Sequence, residues 1–288
     1  MKYLISPNPG SREAVQFAGH LLSALREAGQ QTYLLPEAAD ALDEPEQAQR
    51  WQGEAVDRIL VLGGDGTILR QFHRMHKYGA QLWGINFGHL GYLTDCEPDQ
   101  ALNLLPRILK GDYTVEHRTL LEGELVRDGL VEACFKGLNE ACIYRGAMNH
   151  AMPIDVILGG VLLRSIVSDG LVLSTATGST AYNHSAGGPL LTPEAEGLVI
   201  TPICARWAEN TPIVTAARDC VEAVVHMPRH SENETERPLL VVDGYRNLFL
   251  QEGDRILVRG AREKLQMIRT SRDSFCERLS RKLASTAG

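Results

Sequence analysis

Along the first third of the chain the apolar positions change period repeatedly, from short unbroken runs to a three-and-four spacing and back. KYLIS (2–6) reads as a buried strand. Behind Ser11, the positions Ala14, Val15, Ala18, Leu21, Leu22 and Leu25 mark one face of a helix that stops at Gly29. QTYLL (31–35) and DRILVL (57–62) are further strands, separated by a stretch rich in Asp, Glu and Gln. After GGDGT (63–67) a second helix carries Ile68, Leu69, Phe72 and Met75 on one face and ends near Gly79. The strand QLWGI (81–85), the loop NFGHLGYLTD (86–95) and a helix from about Pro98 to Lys110 complete this part. Strand and helix in alternation predict a parallel sheet covered by helices.

Beyond Gly111 the pattern becomes β-branched and alternating, with glycine turns between TLLEGELV (119–126), DGLVEACFKGLNEACIY (128–144), MPIDVILGGVLL (152–163) and SDGLVLST (168–175). One short helix is expected from Ser179 to about Ala186. The strands LVIT (198–201), CVEAVVHM (220–227), PLLVVDG (238–244) and DRILVRG (254–260) follow. From about Ser271, Phe275, Leu279 and Leu283 fall at helical spacing, and an amphipathic terminal helix needs a surface to pack on.

A chain of 288 residues, 44% hydrophobic and 23% charged, is long enough for two cores. No apolar run approaches the roughly 18 to 20 residues of a membrane span. The opening MKYLIS, soon followed by Pro7 and Pro9, does not fit a signal peptide, so a cytoplasmic protein is expected. Six cysteines show no CxxC pair and no histidine at zinc-ligand spacing, and are expected to be reduced and mostly buried. A net charge of −7 argues against general nucleic-acid binding. Arg255 to Lys282 is locally basic; a solvated face is the common reading and an anion-binding or subunit-contact role the rarer one.

Three stretches carry chemistry. GGDGT lies between a strand and a helix, where backbone N–H groups converge at the helix N-terminus and favour a phosphate. It is neither a P-loop nor a dinucleotide fingerprint, since Leu69 stands where the third glycine would fall. A carboxylate beside a phosphate is repulsive unless it takes a proton or faces a cation. Asp65 is therefore either a base or Mg²⁺ partner, or an ordinary helix cap. GLNEACIYRG joins an amide and a carboxylate, Asn139 and Glu140, in strand-like sequence; a solvated strand end competes with a nucleoside contact. The run from Asp169 to Pro193 has a strand feeding ATGST and a short helix, a second anion-ready N-terminus. Tyr182 offers a flat face for a base ring, Thr177, Ser179, Thr180 and Ser185 offer small hydroxyls, and Asp169 offers a carboxylate.

Taken in order, GGDGT (63–67), NFGHLGYLTD (86–95), LNE (138–140), DGLVLSTATGSTAY (169–182), SAGGPLLTP (185–193) and LVITPIC (198–204) resemble the NAD kinases, and FCERLSRKL is similar to their closing helix. GGDGT alone is shared with diacylglycerol and sphingosine-type lipid kinases and with phosphofructokinases; TGSTAY after an upstream NE pair is far more specific. The resemblance implies a Rossmann-like α/β N-terminal domain (1–112 plus 262–288) and a β-rich, NAD-binding C-terminal domain (113–261), with the last helix returning to the first domain. It implies phosphorylation of the 2′-hydroxyl of the adenosine ribose of NAD by ATP or polyphosphate with Mg²⁺, giving NADP. By the resemblance, Asp65 activates that hydroxyl, and Gly63, Gly64, Gly66 and Thr67 form the phosphate-donor loop, with Gly66 also beside the substrate. Tyr92 packs on the substrate, and Asn139 and Glu140 bind its adenosine and ribose. Asp169, Thr177, Thr180, Ala181, Tyr182 and Ser185 build the nicotinamide and adenine pockets, and Asp243, near the active site, counts with the substrate-binding residues. Homodimers or homotetramers are implied, with no nucleic-acid or membrane partner. Three positions depart from the family: Ala176 for a proline, Thr211 for an arginine, and Tyr92 for a phenylalanine. The alternatives are a non-catalytic NAD sensor and a lipid kinase sharing GGDGT.

Overall fold

The computed structural model describes residues 1–42, 49–75, 79–88, 91–148, 150–206, 210–227, 237–270 and 275–285. Several expectations touch residues outside these: a helix start at Ser271, His89 and Leu90 of the GHLGY turn, Asn149, Glu209, and the side chain of Leu283. The chain divides into two compact units, 1–117 with 265–288, and 118–264. The expected boundaries at 112 and 262 differ because β5 (Thr114–Arg127) and β16 (Arg255–Arg269) run without a turn from one unit into the other. An uninterrupted strand leaves no mark in composition where one core ends.

In the first unit β1 (Lys2–Pro7), β2 (Gln31–Leu34), β3 (Arg58–Leu62) and β4 (Gln81–Ile85) form a parallel sheet in the order β2-β1-β3-β4. The end of β16 adds a further parallel neighbour through Met267 and Leu82. Helix α1 (Arg12–Glu27) starts at Ser11, whose hydroxyl accepts from the Ala14 N–H at 3.2 Å, and buries the six apolar residues of its stripe. A four-residue helix, α2 (Pro36–Ala39), follows β2 and was not expected. Helix α3 (Asp65–Met75) buries Ile68, Phe72 and Met75, and α4 (Pro98–Lys110) opens with a Glu97/Gln100 capping box. The last helix, α6 (Phe275–Ser285), belongs to this unit, with the Phe275 ring 5.9 Å from that of Tyr92.

The second unit is a pair of sheets. One comprises β16 with β13 (Val221–Val225), β8 (Met152–Leu158) and β9 (Val161–Ser168), and carries β5 and β6 (Leu130–Gly137). The other has the order β12-β11-β10-β7-β14-β15, from β12 (Ile213–Ala216), β11 (Gly197–Ile203), β10 (Gly170–Thr175), β7 (Glu140–Tyr144), β14 (Leu239–Val242) and β15 (Arg246–Phe249). Alternate residues of both meet in one core, including Ile154, Val156, Ala141, Ile143, Leu171, Leu173, Leu198 and Leu240. The same alternation turns Glu140, Cys142, Tyr144, Val172 and Ser174 to the opposite face.

Two expectations are corrected. The six cysteines are free, but only Cys96 and Cys142 are buried, while Cys134, Cys204 and Cys276 are exposed. The basic C-terminal run is not simply solvated. Arg255, Arg259 and Lys264 pair with Glu222, Glu122 and Glu196, while Arg269 and Arg278 are buried against Glu116.

Candidate active site

In the first unit the fully buried strand RILVL ends at the glycine pair and α3 begins at Asp65. A Cβ on Gly63 would lie 2.4 Å from the Thr67 hydroxyl, so the turn into the helix closes only on glycine. Gly64 and Gly66 face open space, with nothing within 4 Å of a Cβ built on either. A Cβ there meets no atom of the described residues, which leaves space for a ligand.

The Asp65 carboxylate does not cap its own helix. Its two oxygens accept the backbone N–H groups of Tyr92 at 2.8 Å and Leu93 at 3.0 Å. The loop that supplies those donors is pinned at its base: Asn86 N–H donates to the Cys96 carbonyl, Asp95 N–H to the Gly84 carbonyl, and Trp83 Nε1 to the Asp95 carboxylate at 2.8 Å. Gly91 is required by the contact itself, because a Cβ there would sit 2.1 Å from Asp65 Oδ1. A carboxylate has about four lone-pair positions, so two N–H donors fix its plane and leave others open.

Tyr92 is placed differently from expectation. Its ring is buried, against Phe275 and with Lys282 Nζ 4.2 Å from its centroid, so it packs under α6 instead of offering a face to a substrate. What Tyr92 presents toward Asp65 is its backbone N–H.

In the second unit β7 and β10 lie antiparallel, pairing Glu140 with Ser174 and Tyr144 with Gly170. The NE pair and the TGST turn, far apart in sequence, thereby share one end of the sheet. The Asn139 carbonyl accepts from Thr175 N–H at 2.8 Å and the Leu138 carbonyl from the Thr175 hydroxyl at 2.6 Å. Gly178 sits on this bend, since a Cβ there would come within 2.2 Å of the Asn139 oxygen.

Asp243 organises the same corner. It is buried, and its carboxylate accepts the backbone N–H groups of Leu138 (2.7 Å), Asn139 (2.8 Å) and Glu140 (2.9 Å). Its φ of 51° lies in the left-handed region, which Asp and Asn tolerate best. Asp243 was expected among the substrate contacts; these bonds make it a support for the NE bend. Asp243→Asn keeps shape and backbone but sets an amide donor against a peptide donor. A stability loss of about 2 kcal/mol is expected by denaturant titration.

Glu140 is the opposite case. Its Oε2 is buried without a hydrogen-bond partner, and burial, then the neighbouring Asp243 charge, push its carboxyl up to about 8. At the other end of β10, Asp169 pairs with Arg145 at 2.9 Å, and the Tyr182 and Tyr144 rings lie 5.7 Å apart. Burial raises both phenols.

The expected helix from Ser179 to Ala186 is instead a 3-10 turn over Gly178–Thr180 and one turn of helix, α5 (Tyr182–Ser185). Its hydroxyls explain the difference: Ser179 Oγ donates to the Ala176 carbonyl, Thr180 Oγ1 to the Thr177 carbonyl, and Thr175 Oγ1 accepts from Gly178 N–H. The amides of Gly178, Ser179 and Ala181 are thus already bonded, and the second anion-ready helix N-terminus is not formed. Thr177 is buried, with Arg118 Nη1 3.5 Å from its hydroxyl; Thr180 and Ala181 are half-buried and Ser185 is exposed. Thr211, where the family carries an arginine, offers its carbonyl to Arg164.

Gly91, Glu116, Arg118, Tyr144, Arg145 and Arg269 were not singled out in the sequence. Only Gly91 had a local signal, as the glycine before Tyr92.

Family models match both parts of the chain: the ATP-NAD kinase N-terminal domain over residues 7–113 and the ATP-NAD kinase C-terminal domain over 138–270. The NAD kinase of Symbiobacterium thermophilum is 36% identical over 288 residues, 99% of each chain. That of Natranaerobius thermophilus is 31% identical over 279 residues, 96% of each. The fold is that of yeast NADH kinase complexed with NADH, with a TM-score of 0.86 at 22% identity over 100% of this chain and 89% of that one. It is also that of an NAD kinase from Archaeoglobus fulgidus in complex with ATP, with a TM-score of 0.73 at 20% identity over 100% and 99%. Matched by both domain models and by relatives along nearly its whole length, the chain belongs to the NAD kinase family.

Proposed function

We propose that this NAD kinase makes NADP by directing the 2′-hydroxyl of the adenosine ribose of NAD at the terminal phosphate of ATP or polyphosphate, with Asp65 as the base. The observation that carries this reading is the Asp65 carboxylate, fixed in plane by two backbone N–H groups beside an open glycine loop. Asp65 accepts the hydroxyl proton as phosphorus is attacked, and the donor phosphates lie along Gly63, Gly64, Gly66 and Thr67. Asn139 and Glu140 hold the adenosine and ribose. Tyr182 with Tyr144, Asp169 with Arg145, and the Thr177–Ser185 turn hold the remaining rings. Asp243 and Gly178 keep the NE bend in place for them.

Among the described residues no group of three His, Cys, Asp or Glu side chains forms a metal cage. With open space at Gly64 and Gly66, the residues fit Mg²⁺ carried on the donor phosphates, near Asp65. Bound there, Mg²⁺ would neutralise charge building on the transferred group. Among the described residues no helix is long and apolar enough to cross a membrane; a cytoplasmic site of action rests on the sequence reading alone. Homodimer or homotetramer assembly rests on the family resemblance.

The test is incubation with NAD and Mg²⁺ plus either ATP or polyphosphate, reading the phosphorylated product by mass spectrometry. NADP is expected with at least one donor, and none from an NAD analogue lacking the adenosine 2′-hydroxyl. Phosphorylation of that analogue would overturn the assignment of the acceptor.

A further inference from the structure

The peptide joining Tyr92 to Leu93 is held at both ends. Its N–H, that of Leu93, donates to Asp65 Oδ1 at 3.0 Å, and its C=O, that of Tyr92, accepts from Arg269 Nη2 at 3.4 Å. Arg269 Nη1 also donates to the next two carbonyls, Leu93 at 3.0 Å and Thr94 at 2.9 Å. One guanidinium thus gathers three successive carbonyls on one side of the loop, while Asp65 gathers two N–H groups on the other. The remaining donor edge of Arg269 is occupied by Glu116, with Nε to Oε2 at 3.0 Å and Nη2 to Oε1 at 3.3 Å. Arg269 is 6% exposed, so water does not substitute for these bonds.

A flexible loop would let the 92–93 peptides rotate, and each rotation would carry a donor away from Asp65. Fixing the carbonyls fixes the peptide planes, hence the N–H directions and the plane of the carboxylate. A cation on the C=O side also polarises the amide and strengthens its N–H as a donor. Gly91 permits the close approach and Arg269 orients what approaches.

We propose that Arg269, oriented by Glu116, is a positioning residue for catalysis: it holds the Tyr92–Leu93–Thr94 backbone so that its N–H groups aim the Asp65 carboxylate. The proposal rests on the assignment of Asp65 as the base. A basic residue 177 positions from Tyr92 in sequence thereby acts on the phosphoryl transfer.

The experiment compares Arg269→Lys, Arg269→Ala, Glu116→Gln and Asp65→Asn for kcat, KM and thermal midpoint. Arg269→Lys keeps the charge beside Glu116 but cannot serve three carbonyls and a carboxylate at once. Its kcat is expected to fall by about tenfold or more with KM for NAD changed less than about threefold, the pattern of a misplaced reacting group. Glu116→Gln should show the same split with a smaller fall. Millimolar guanidinium should restore part of the kcat of Arg269→Ala, with tetramethylammonium as the ionic control, and should do nothing for Asp65→Asn. Should Arg269→Ala not fold, the split in the two milder variants decides. If both keep kcat within about twofold of the parent, or lose kcat and KM together in step with the thermal midpoint, the positioning role is wrong. Full turnover in Asp65→Asn would instead remove the underlying assignment, so the two failures are distinguishable.

Discussion

Asp65→Asn is expected to lower kcat by about 10²- to 10⁴-fold, the usual contribution of a general base, while KM for NAD moves by less than about threefold. The substitution is nearly isosteric, so it asks what the negative charge does. An amide accepts no proton from a hydroxyl, and one of its two ends is a donor. That end meets either the Tyr92 or the Leu93 N–H, both of which now point at carboxylate oxygens at 2.8 and 3.0 Å. One of those bonds is lost, at about 1–3 kcal/mol of stability. The size of the kinetic effect decides between roles. A fall confined to tenfold, matched by a lower thermal midpoint, would make Asp65 a loop anchor. A fall of a thousandfold in a folded protein is more than the lost anchor explains and requires the proton transfer. Steady-state kinetics with a thermal melt on the same preparation separates the two.

Much of the first unit was legible because its signals are local. Ser11 before an apolar stripe, and Pro98 behind Glu97 with Gln100 three residues on, mark helix starts by bonds made within one turn. The missed strands, β12 (IVTA) and β15 (RNLF), are four-residue edge strands with Val214 and Phe249 largely exposed. They are strands by virtue of their neighbours, which a period cannot report. The site divides in the same way. GGDGT, the NE pair and TGSTAY announce themselves because each packs several chemical groups into a few residues. Asp243 was noticed, but its role was not, since three N–H groups a hundred residues away define it. Arg269 lay in a basic run that resembles any solvated face, and only pairing between distant strands sets it beside Glu116 and the 92–94 carbonyls.

Proton linkage at Glu140 yields the second large effect. In the free protein its carboxyl is raised from about 4.5 to about 8 by burial and by Asp243, and Oε2 has no partner. At pH 7 the free protein therefore carries this group mostly protonated. If the ribose hydroxyls of NAD donate to it, as proposed, they favour the ionised form, and binding must expel the proton. Affinity for NAD then rises with pH toward about 8 by at most tenfold per unit and levels off above it. Titration calorimetry at pH 7 in two buffers of different ionisation heat should show up to about one proton released per NAD bound. Glu140→Gln should abolish both the release and the pH dependence, and should raise KM for NAD more than it lowers kcat. The same group acts oppositely on the unliganded fold. The folded state binds this proton more tightly than the unfolded chain, so the contribution of Glu140 to stability is greatest below about pH 4.5 and falls as pH rises toward 8, by at most about 1.4 kcal/mol per unit. Glu140→Gln should therefore gain stability over the parent as pH rises, a difference absent at low pH. Proton uptake on binding NAD, or none, would mean that Glu140 meets the nucleotide protonated and as a donor. The ribose hydroxyls would then not be donors to an ionised Glu140.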